Sequence, residues 1–183
     1  MQIRWAVATT GALVLAFLTL GTPLPVRVGW FAPEAEAVAG ACDANAKPAN
    51  LNFTLKDMNN KDVKLADLKG KVIVLDFWAT WCAPCKVEIP WFVALQNAYG
   101  KRGLQVVGVS VDDTLDQLKP FADRYQMNYP ILQGLGRDDV QDAFGPIWGI
   151  PTTVVIGRDG RICKTHIGAS SREAFEQEIK SLL

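Results

Sequence analysis

The chain has 183 residues, 49% of them hydrophobic, and its 19 basic and 19 acidic residues cancel at neutral pH. This length accommodates one domain of ordinary size with a short extra segment. Because the chain has no net charge, it lacks the field that attracts nucleic acid, so nucleic acid is excluded as an expected partner.

The N-terminal segment, residues 1–26, has the pattern of an export signal. After Arg4 the chain carries no charge until Arg27, and this run is close to the length of about 20 residues that spans a bilayer. The small-residue pattern at 35–37 suits signal cleavage but lies well beyond the apolar run. A cleaved signal peptide and a membrane anchor over residues 5–26 both remain open. Either one predicts an extracytoplasmic location, in the periplasm or on the outer face of the cytoplasmic membrane.

A proline-rich stretch separates this segment from the folded part of the chain. Residues 27–49 are predicted to form a linker, and residues 50–183 one folded domain. The domain is predicted to open with a β-hairpin about the turn Asn59-Asn60, because the apolar residues from Leu51 to Leu55 alternate towards one side.

The next run, residues 71–78, is almost entirely apolar and predicts a central strand covered on both faces. Asp76 is the exception within it. Its apolar neighbours predict that this carboxyl is buried, where desolvation raises its pKa and suits it to exchange a proton.

The rest of the domain alternates between helices and strands, which predicts an α/β fold with a mixed central sheet flanked by helices. The predicted elements are a helix from Cys82 to Gly100 in which Val87, Trp91, Leu95 and Ala98 recur at helical spacing, a strand at 104–110, a helix at 114–125, a strand at 130–133, a helix at 138–144, a hairpin at 152–167, and a helix at 170–183 with a capping box of Ser170 and Glu173.

Two cysteines, Cys82 and Cys85, lie at the junction of the central strand and its helix. A structural zinc site needs four ligands, but Cys42 and Cys163 are isolated and His166 is the only histidine. A purely structural disulfide between Cys82 and Cys85 is disfavoured, because the short loop that it closes removes little entropy from the unfolded chain. The spacing therefore predicts a redox-active Cys82–Cys85 disulfide, with no metal and no other cofactor.

The position of each cysteine predicts its role. Cys82 starts the helix, where free N–H groups and the helix dipole stabilise a thiolate, so it is the expected nucleophile. Cys85 is expected to resolve the mixed disulfide, with Asp76 taking its proton. An X-Pro bond before a buried strand fits a cis peptide, so the backbone of Ile150 before Pro151 is expected to face an extended substrate.

The stretch DFWATWCAPCK, residues 76–86, resembles the active-site segment of thioredoxins, and Ile150-Pro151-Thr152 resembles their cis-proline loop. The likeness covers about residues 50–183. The exported N-terminus, the hairpin, a long insertion between Val111 and Pro151, and Glu88 are similar to the TlpA/ResA-like extracytoplasmic thiol-disulfide oxidoreductases. This resemblance implies a thioredoxin fold with an N-terminal β-hairpin and a central insertion.

The same resemblance implies partners and site residues. Glu88 is implied as an auxiliary acid or base near Cys85, with a plain exposed helix residue as the alternative. Members of this group commonly keep cysteines reduced outside the cytoplasm, for example on apocytochrome c. They receive electrons from a membrane donor of the CcdA/DsbD type. The residues expected to meet a disulfide-containing protein substrate are Trp81, Ala83, Pro84, Ile150 and Pro151.

Three alternative functions are weighed against a reductase, and two of them lack a required residue here. A peroxiredoxin-like thiol peroxidase shares the layout, but Cys82 occupies the threonine place of its Thr-X-X-Cys pattern. A copper-binding module needs cysteines spaced by three residues and a histidine, whereas the spacing here is two and His166 lies on a predicted strand. A disulfide donor would use the same residues in the opposite direction, which the Ala83-Pro84 dipeptide does not decide.

The remaining cysteines and the histidine are expected to have structural roles. His166 is expected to pack or to lie at the surface, and Trp78 to pack in the core. Cys163 is expected to face the core as a small apolar residue and Cys42 to lie in the linker. An oxidising compartment would also permit a disulfide between these two cysteines.

Overall fold

A computed structural model describes residues 42–183 of the chain. The predicted signal or anchor at 1–26 and the first part of the predicted linker lie outside these described residues. The elements within them, in chain order, are β1 (Thr54–Lys56), β2 (Asp62–Lys64), β3 (Val72–Trp78), α1 (Ala83–Tyr99), β4 (Leu104–Ser110), α2 (Leu115–Tyr125), β5 (Ile131–Gln133), α3 (Asp138–Ala143), β6 (Thr152–Ile156), β7 (Ile162–Ile167) and α4 (Arg172–Leu182), with short 3-10 helices at Leu65–Leu68 and Gly100–Arg102.

The main sheet has five strands in the order β5-β4-β3-β6-β7. β3 pairs in parallel with β4 and antiparallel with β6, while β5 adds in parallel and β7 antiparallel at the two edges. The predicted mixed sheet is therefore confirmed. The insertion between Val111 and Pro151 supplies α2, the edge strand β5 and α3.

The predicted N-terminal hairpin is present as β1 and β2, which pair antiparallel. Leu51 and Leu55 are buried, and Asn60 in the turn has a positive φ of 61°. A bridge between Asp57 and Leu132 attaches the hairpin to the β5 edge. The hairpin therefore covers the edge strand that the insertion adds.

β3 divides the apolar interior into two clusters because its side chains alternate between the faces of the sheet. Val74 and Trp78 join the cluster that also contains buried residues of α1, α2 and α4. Leu75 and Phe77 join the other cluster, which contains residues of the hairpin and α3. Asp76 has the same parity as Trp78, so it lies on the face that α1 covers.

The α1 helix forms as predicted, but its buried face differs from the one that the spacing of Val87, Trp91, Leu95 and Ala98 indicates. Val87 is 57% exposed, and Ala98 is exposed as well. The stripe that packs on the sheet has the spacing of one helix face and consists of Cys85, Glu88, Ile89, Phe92, Leu95 and Tyr99. The stripe begins with Cys85, which is itself buried, so this face of α1 packs on the sheet.

The capping of α4 differs from the predicted capping box by one residue. Ser171, not Ser170, is the N-cap, and its hydroxyl accepts a hydrogen bond from the N–H of Ala174 at 3.2 Å. Ser170 uses its own N–H for a contact with Glu88 instead. Ser170 therefore lies in the connection between β7 and α4, outside the helix.

The described end of the predicted linker, residues 42–49, runs beside the β6–β7 hairpin. Ile162 N donates to the Lys47 carbonyl, and Ala49 N donates to the Gly160 carbonyl. Cys42 forms a disulfide with Cys163, which is half-buried and packs against the core from the sheet edge. Across residues 42–183 no helix combines the length and the hydrophobicity that a bilayer crossing requires.

Candidate active site

The two cysteines of the predicted redox pair are joined in a disulfide at the start of α1. Their Cα atoms are 5.3 Å apart, and both residues are almost fully buried. Cys82 is the N-cap of the helix, and its Sγ accepts a hydrogen bond from the N–H of Cys85 at 3.2 Å. One of the free N–H groups at the helix start thus already points at Cys82. After reduction the same geometry favours a thiolate at this sulfur.

The segment before the disulfide is held by Asp113, which follows β4. Its buried carboxylate accepts hydrogen bonds from the N–H of Thr80 at 2.8 Å and from the hydroxyl of Ser110 at 2.5 Å. The neighbouring Asp112 accepts a hydrogen bond from Nε1 of Trp81 at 3.0 Å. Our sequence analysis did not single out either aspartate. The sequence pattern that could have identified them is a pair of acidic residues directly after the buried run that forms β4.

Asp76 lies beneath α1 and is 1% exposed, as its apolar neighbours predict. It is in register with Gly108 on β4 and Thr153 on β6, and Thr153 Oγ1 donates to Asp76 Oδ1 at 3.2 Å. Desolvation and then the charge of Glu88 raise the pKa of Asp76 to about 8, against the opposing effect of the Thr153 hydrogen bond. This value is close to that of a thiol, so a proton can pass between Asp76 and a cysteine at small cost.

Glu88 is also buried, at 1% exposure, so the alternative of an exposed helix residue is wrong. Its Oε1 accepts a hydrogen bond from the N–H of Ser170 at 2.8 Å, whereas its Oε2 has no partner among residues 42–183. Burial raises the pKa of Glu88, while the Ser170 N–H and the charge of His166 act in the opposite direction. Two ionisable carboxyls therefore share the interior beneath the active-site helix.

The loop before β6 reaches the same end of the sheet as the disulfide. The Ile150–Pro151 peptide is cis, and the carbonyl of Pro151 accepts a hydrogen bond from Gly168 N at 2.8 Å. Because Phe77 on β3 pairs with Thr152 on β6, the loop lies where β3 ends and the segment to Cys82 begins. The two sequence motifs are thus brought to one edge of the sheet.

This edge of the molecule carries several exposed apolar side chains. Trp81 is 62% exposed, Ile167 70% and Trp148 84%, and Ala83 and Pro84 are also exposed. Large apolar side chains grouped at a surface are typical of a site that meets a partner. Trp148, three residues before Pro151, is one of these exposed side chains, and our sequence analysis did not identify it.

Two further buried polar groups lie close to Asp76. Trp78 packs against Phe121 with ring centroids 5.0 Å apart, in the packing role that we predicted. Its Nε1 and the hydroxyl of Tyr129 have no hydrogen-bond partner within residues 42–183. Desolvation, followed by the charge of Asp76, raises the pKa of Tyr129 well above its ordinary value, so Tyr129 is a neutral hydroxyl next to the carboxyl.

Comparison with known proteins assigns this site to a family. Residues 47–165 match the model of the AhpC/TSA family. The thiol-disulfide oxidoreductase ResA of Bacillus thuringiensis (strain Al Hakam) is 32% identical over 132 residues, which are 72% of this chain and 75% of the relative. The ResA of Bacillus subtilis (strain 168) is 33% identical over 159 residues, covering 87% and 83%. The chain belongs to the AhpC/TSA family. Within that family it is a ResA-like thiol-disulfide oxidoreductase.

Solved structures of other oxidoreductases have the same fold as this ResA-like protein. A thiol:disulfide interchange protein of the thioredoxin family from Chlorobium tepidum TLS is 33% identical, with a TM-score of 0.69 over 76% of this chain and 97% of that one. StoA from Bacillus subtilis is 26% identical, with a TM-score of 0.58 over 68% and 93%. These likenesses confirm the thioredoxin fold and the oxidoreductase class, and the peroxidase alternative is not favoured.

Proposed function

We propose that this ResA-like oxidoreductase reduces disulfides of proteins outside the cytoplasm through Cys82 and Cys85. The observation that carries the proposal is the placement of this pair at the start of α1, the helix that carries the buried Glu88 and covers the face of β3 with the buried Asp76. A helix start stabilises the attacking thiolate, and a buried carboxyl of raised pKa can take the proton of the resolving thiol.

The proposed reaction begins with the reduced protein and transfers two electrons to the substrate. The Cys82 thiolate attacks one sulfur of a substrate disulfide, a mixed disulfide forms, and the other substrate sulfur leaves as a thiolate that takes a proton from water. With a pKa of about 8, Asp76 is ionised in about a tenth of the molecules at pH 7. In these molecules Cys85 gives its proton to Asp76, and the Cys85 thiolate attacks the sulfur of Cys82. The second substrate sulfur leaves as a thiolate and takes the proton that Asp76 received, so Asp76 is ionised again, the substrate holds two thiols and the protein holds the Cys82–Cys85 disulfide.

The surface around the disulfide supports a protein substrate. Ala83 and Pro84 are exposed at the start of α1, and Ile150 and Pro151 lie at the same edge of the sheet. In our proposal these residues and Trp81 contact an extended segment of the substrate on both sides of its cysteine. Glu88 serves as an auxiliary acid or base beside Cys85.

The N-terminal sequence supports a reaction outside the cytoplasm. We propose that residues 1–26 export or anchor the chain, that residues 27–49 act as a linker, and that residues 50–183 carry the activity. A protein on the outer side of the membrane cannot be reduced by a soluble cytoplasmic enzyme. In this proposal a membrane donor of the CcdA/DsbD type therefore returns the electrons, and a protein such as apocytochrome c is the substrate.

The decisive experiment is the reduction potential of the Cys82–Cys85 pair against glutathione, combined with its redox state in intact cells. We expect a mainly dithiol protein with a potential near or below that of thioredoxin, about −270 mV. A pair that is oxidised in cells, with a potential nearer the DsbA value of about −120 mV, would instead establish a disulfide donor. A variant with serine in place of Cys82 and Cys85 keeps only the Cys42–Cys163 disulfide, so it measures any contribution of that second pair.

A further inference from the structure

A row of polar residues crosses three neighbouring strands on the face that α1 and α4 cover. Asp76 on β3 is opposite Thr153 on β6, and Thr153 is opposite His166 on β7. Residues directly opposite each other in an antiparallel pair lie on the same face of the sheet. The single histidine of the chain therefore lies in the same row as the carboxyl that we propose as the proton acceptor.

Glu178 on α4 holds the ring of His166 in place. The distance from His166 Nε2 to Glu178 Oε2 is 2.8 Å, and the ring packs edge-on against Phe175 with centroids 4.9 Å apart. Both ends of this contact are partly shielded, with 14% and 28% of the two side chains exposed. Such a contact orients a ring far more strongly than an isolated surface pair does.

Glu88 meets this row from α1. The N–H of Ser170, four residues after His166, binds Glu88 Oε1 at 2.8 Å, and Glu88 Oε2 is buried without a partner among residues 42–183. Phe175, which the His166 ring contacts, also packs on Phe92 of α1 with ring centroids 5.1 Å apart, and Phe92 is one helical turn after Glu88 on the buried face. The ring therefore lies on the side of α1 that carries Glu88, and a protonated His166 lowers the pKa of the Glu88 carboxyl. The α1, β7 and α4 elements thus converge on one buried carboxyl.

The charged and titratable groups around His166 are few. Glu178 contacts it from α4, Glu88 approaches it from α1, and Asp76 lies two positions along the row on β3. Lys164 lies two residues away on β7 and lines a cavity of about 220 Å³ together with Glu178. Thr153, the residue of β6 between the ring and Asp76, is uncharged.

We propose that His166, held by Glu178, is a positioning residue that keeps Glu88 as the ionised member of the Asp76–Glu88 pair, so that Asp76 is the carboxyl that exchanges a proton with Cys85. The proposal rests on the proposed function only for the last step, the exchange with Cys85. It assigns a role to His166 beyond packing.

The physical reason is that two carboxyls in one apolar interior do not ionise together easily, so the better-solvated one takes the charge first. Glu88 has a backbone N–H at 2.8 Å and the nearby imidazole. Asp76 has one hydroxyl at 3.2 Å. The environment therefore favours charge on Glu88 and the proton on Asp76.

The test is a residue-specific carbon-13 NMR titration of the Glu88 and Asp76 carboxyls in the oxidised protein. We expect His166→Gln to raise the Glu88 midpoint by about half to one pH unit, a roughly three- to tenfold change in proton affinity. The Asp76 midpoint should fall in the same variant, because a neutral Glu88 no longer repels its charge. His166→Lys should restore both midpoints towards the wild-type values. The matched control is Lys180→Gln, which removes a cation that binds Glu176 on α4. It should leave the Glu88 and Asp76 midpoints unchanged.

The opposite directions distinguish this role from a loss of packing. A loosened core would admit water and lower both carboxyl midpoints. A Glu88 midpoint that is unchanged or lower in folded His166→Gln would overturn the proposal, as would an equal rise in His166→Lys. If His166→Gln does not fold, His166→Asn replaces it with the same expectations. The titration needs no substrate, so its result is independent of the direction of electron transfer, which the reduction potential measures separately.

Discussion

Asp113 accepts two hydrogen bonds from Thr80, one from the backbone N–H at 2.8 Å and one from the hydroxyl at 2.6 Å. The two residues are 33 positions apart, and their contact fixes the chain two residues before Cys82. A third hydrogen bond, from Ser110, completes the set on a carboxylate that is 1% exposed. The segment that presents the disulfide is therefore anchored to the end of β4.

We expect Asp113→Ala to lower the free energy of unfolding by about 3 kcal/mol, because it leaves buried donors of Thr80 and Ser110 without an acceptor. Urea unfolding of the oxidised protein measures this loss. Asp112→Ala is the matched control. Asp112 is exposed and, among residues 42–183, its side chain has a hydrogen bond only with the exposed Trp81, so the loss of stability in this variant should be within about 0.5 kcal/mol. Equal losses in the two variants would contradict an anchoring role for Asp113.

A second prediction concerns the roles of the two cysteines. In the reduced protein, Cys85→Ser should accumulate a mixed disulfide between Cys82 and the substrate, because the resolving thiol is absent. Cys82→Ser should accumulate none, because Cys85 lies inside the helix and not at its N-cap, where the free N–H groups favour a thiolate. Thiol trapping followed by non-reducing electrophoresis separates these outcomes. The reverse pattern would exchange the assigned roles.

A third prediction concerns the proton acceptor. Asp76→Asn keeps the shape of the side chain but cannot take a proton, so it should slow the resolving step on the order of 10² to 10⁴ fold. Stopped-flow kinetics can separate this step from the first attack by Cys82. The first attack, which does not need Asp76, serves as the internal reference and should change little. Equal rates of resolution in the two proteins across neutral pH would remove Asp76 from the mechanism.

A fourth prediction is the pH dependence of stability. The folded protein keeps a proton on Asp76 up to about pH 8, whereas the unfolded chain releases it near the ordinary value of 3.8. The folded state therefore binds more protons between these values, and its stability must fall as the pH rises through this window. The cost at neutral pH is up to about 4 kcal/mol.

Urea unfolding at pH 5 and at pH 8 checks this sign. Wild type should be less stable at pH 8, and Asp76→Asn should remove much of the difference and be the more stable protein at pH 8. A wild-type protein that becomes more stable between these pH values would contradict a buried, protonated Asp76.

A fifth prediction concerns the second disulfide, which joins cysteines 121 positions apart. Closing so long a loop restricts the unfolded chain, so replacing Cys42 and Cys163 by serine should lower the free energy of unfolding by about 4 kcal/mol. Urea unfolding measures the loss, and the reduction potential of the Cys82–Cys85 pair should stay the same. An unchanged unfolding midpoint would contradict a stabilising role for the Cys42–Cys163 disulfide.

The parts of the fold that follow from local chemistry could be predicted from the sequence. The apolar run of β3, the helix that begins after Cys82, and the hairpin about Asn59-Asn60 each depend on residues within a few positions of one another. The redox pair could be predicted for the same reason, since the spacing of Cys82 and Cys85 places both at one helix start. Local periodicity also indicated that Asp76 is buried, because its neighbours on the strand are apolar.

Local periodicity alone did not decide which face of α1 is buried or which serine caps α4. Several faces of α1 carry apolar residues, and only packing on the sheet selected the one with Cys85 and Glu88 over the one with Val87. Ser170 and Ser171 are equally good caps by type. The N-cap depends on Glu88, which lies 82 positions earlier on α1 and accepts the hydrogen bond of the Ser170 N–H.

The sequence by itself determined the chemistry of this protein: a dithiol at a helix start, with a carboxyl in the strand before it. Only the tertiary structure decided the environment of that chemistry. Asp113 with Thr80, Cys42 with Cys163, and the row from Asp76 to His166 are contacts between segments far apart along the chain. Their physical cause is the order of strands in the sheet, which brings β4, β6 and β7 beside or near β3, and no local pattern of residues specifies that order.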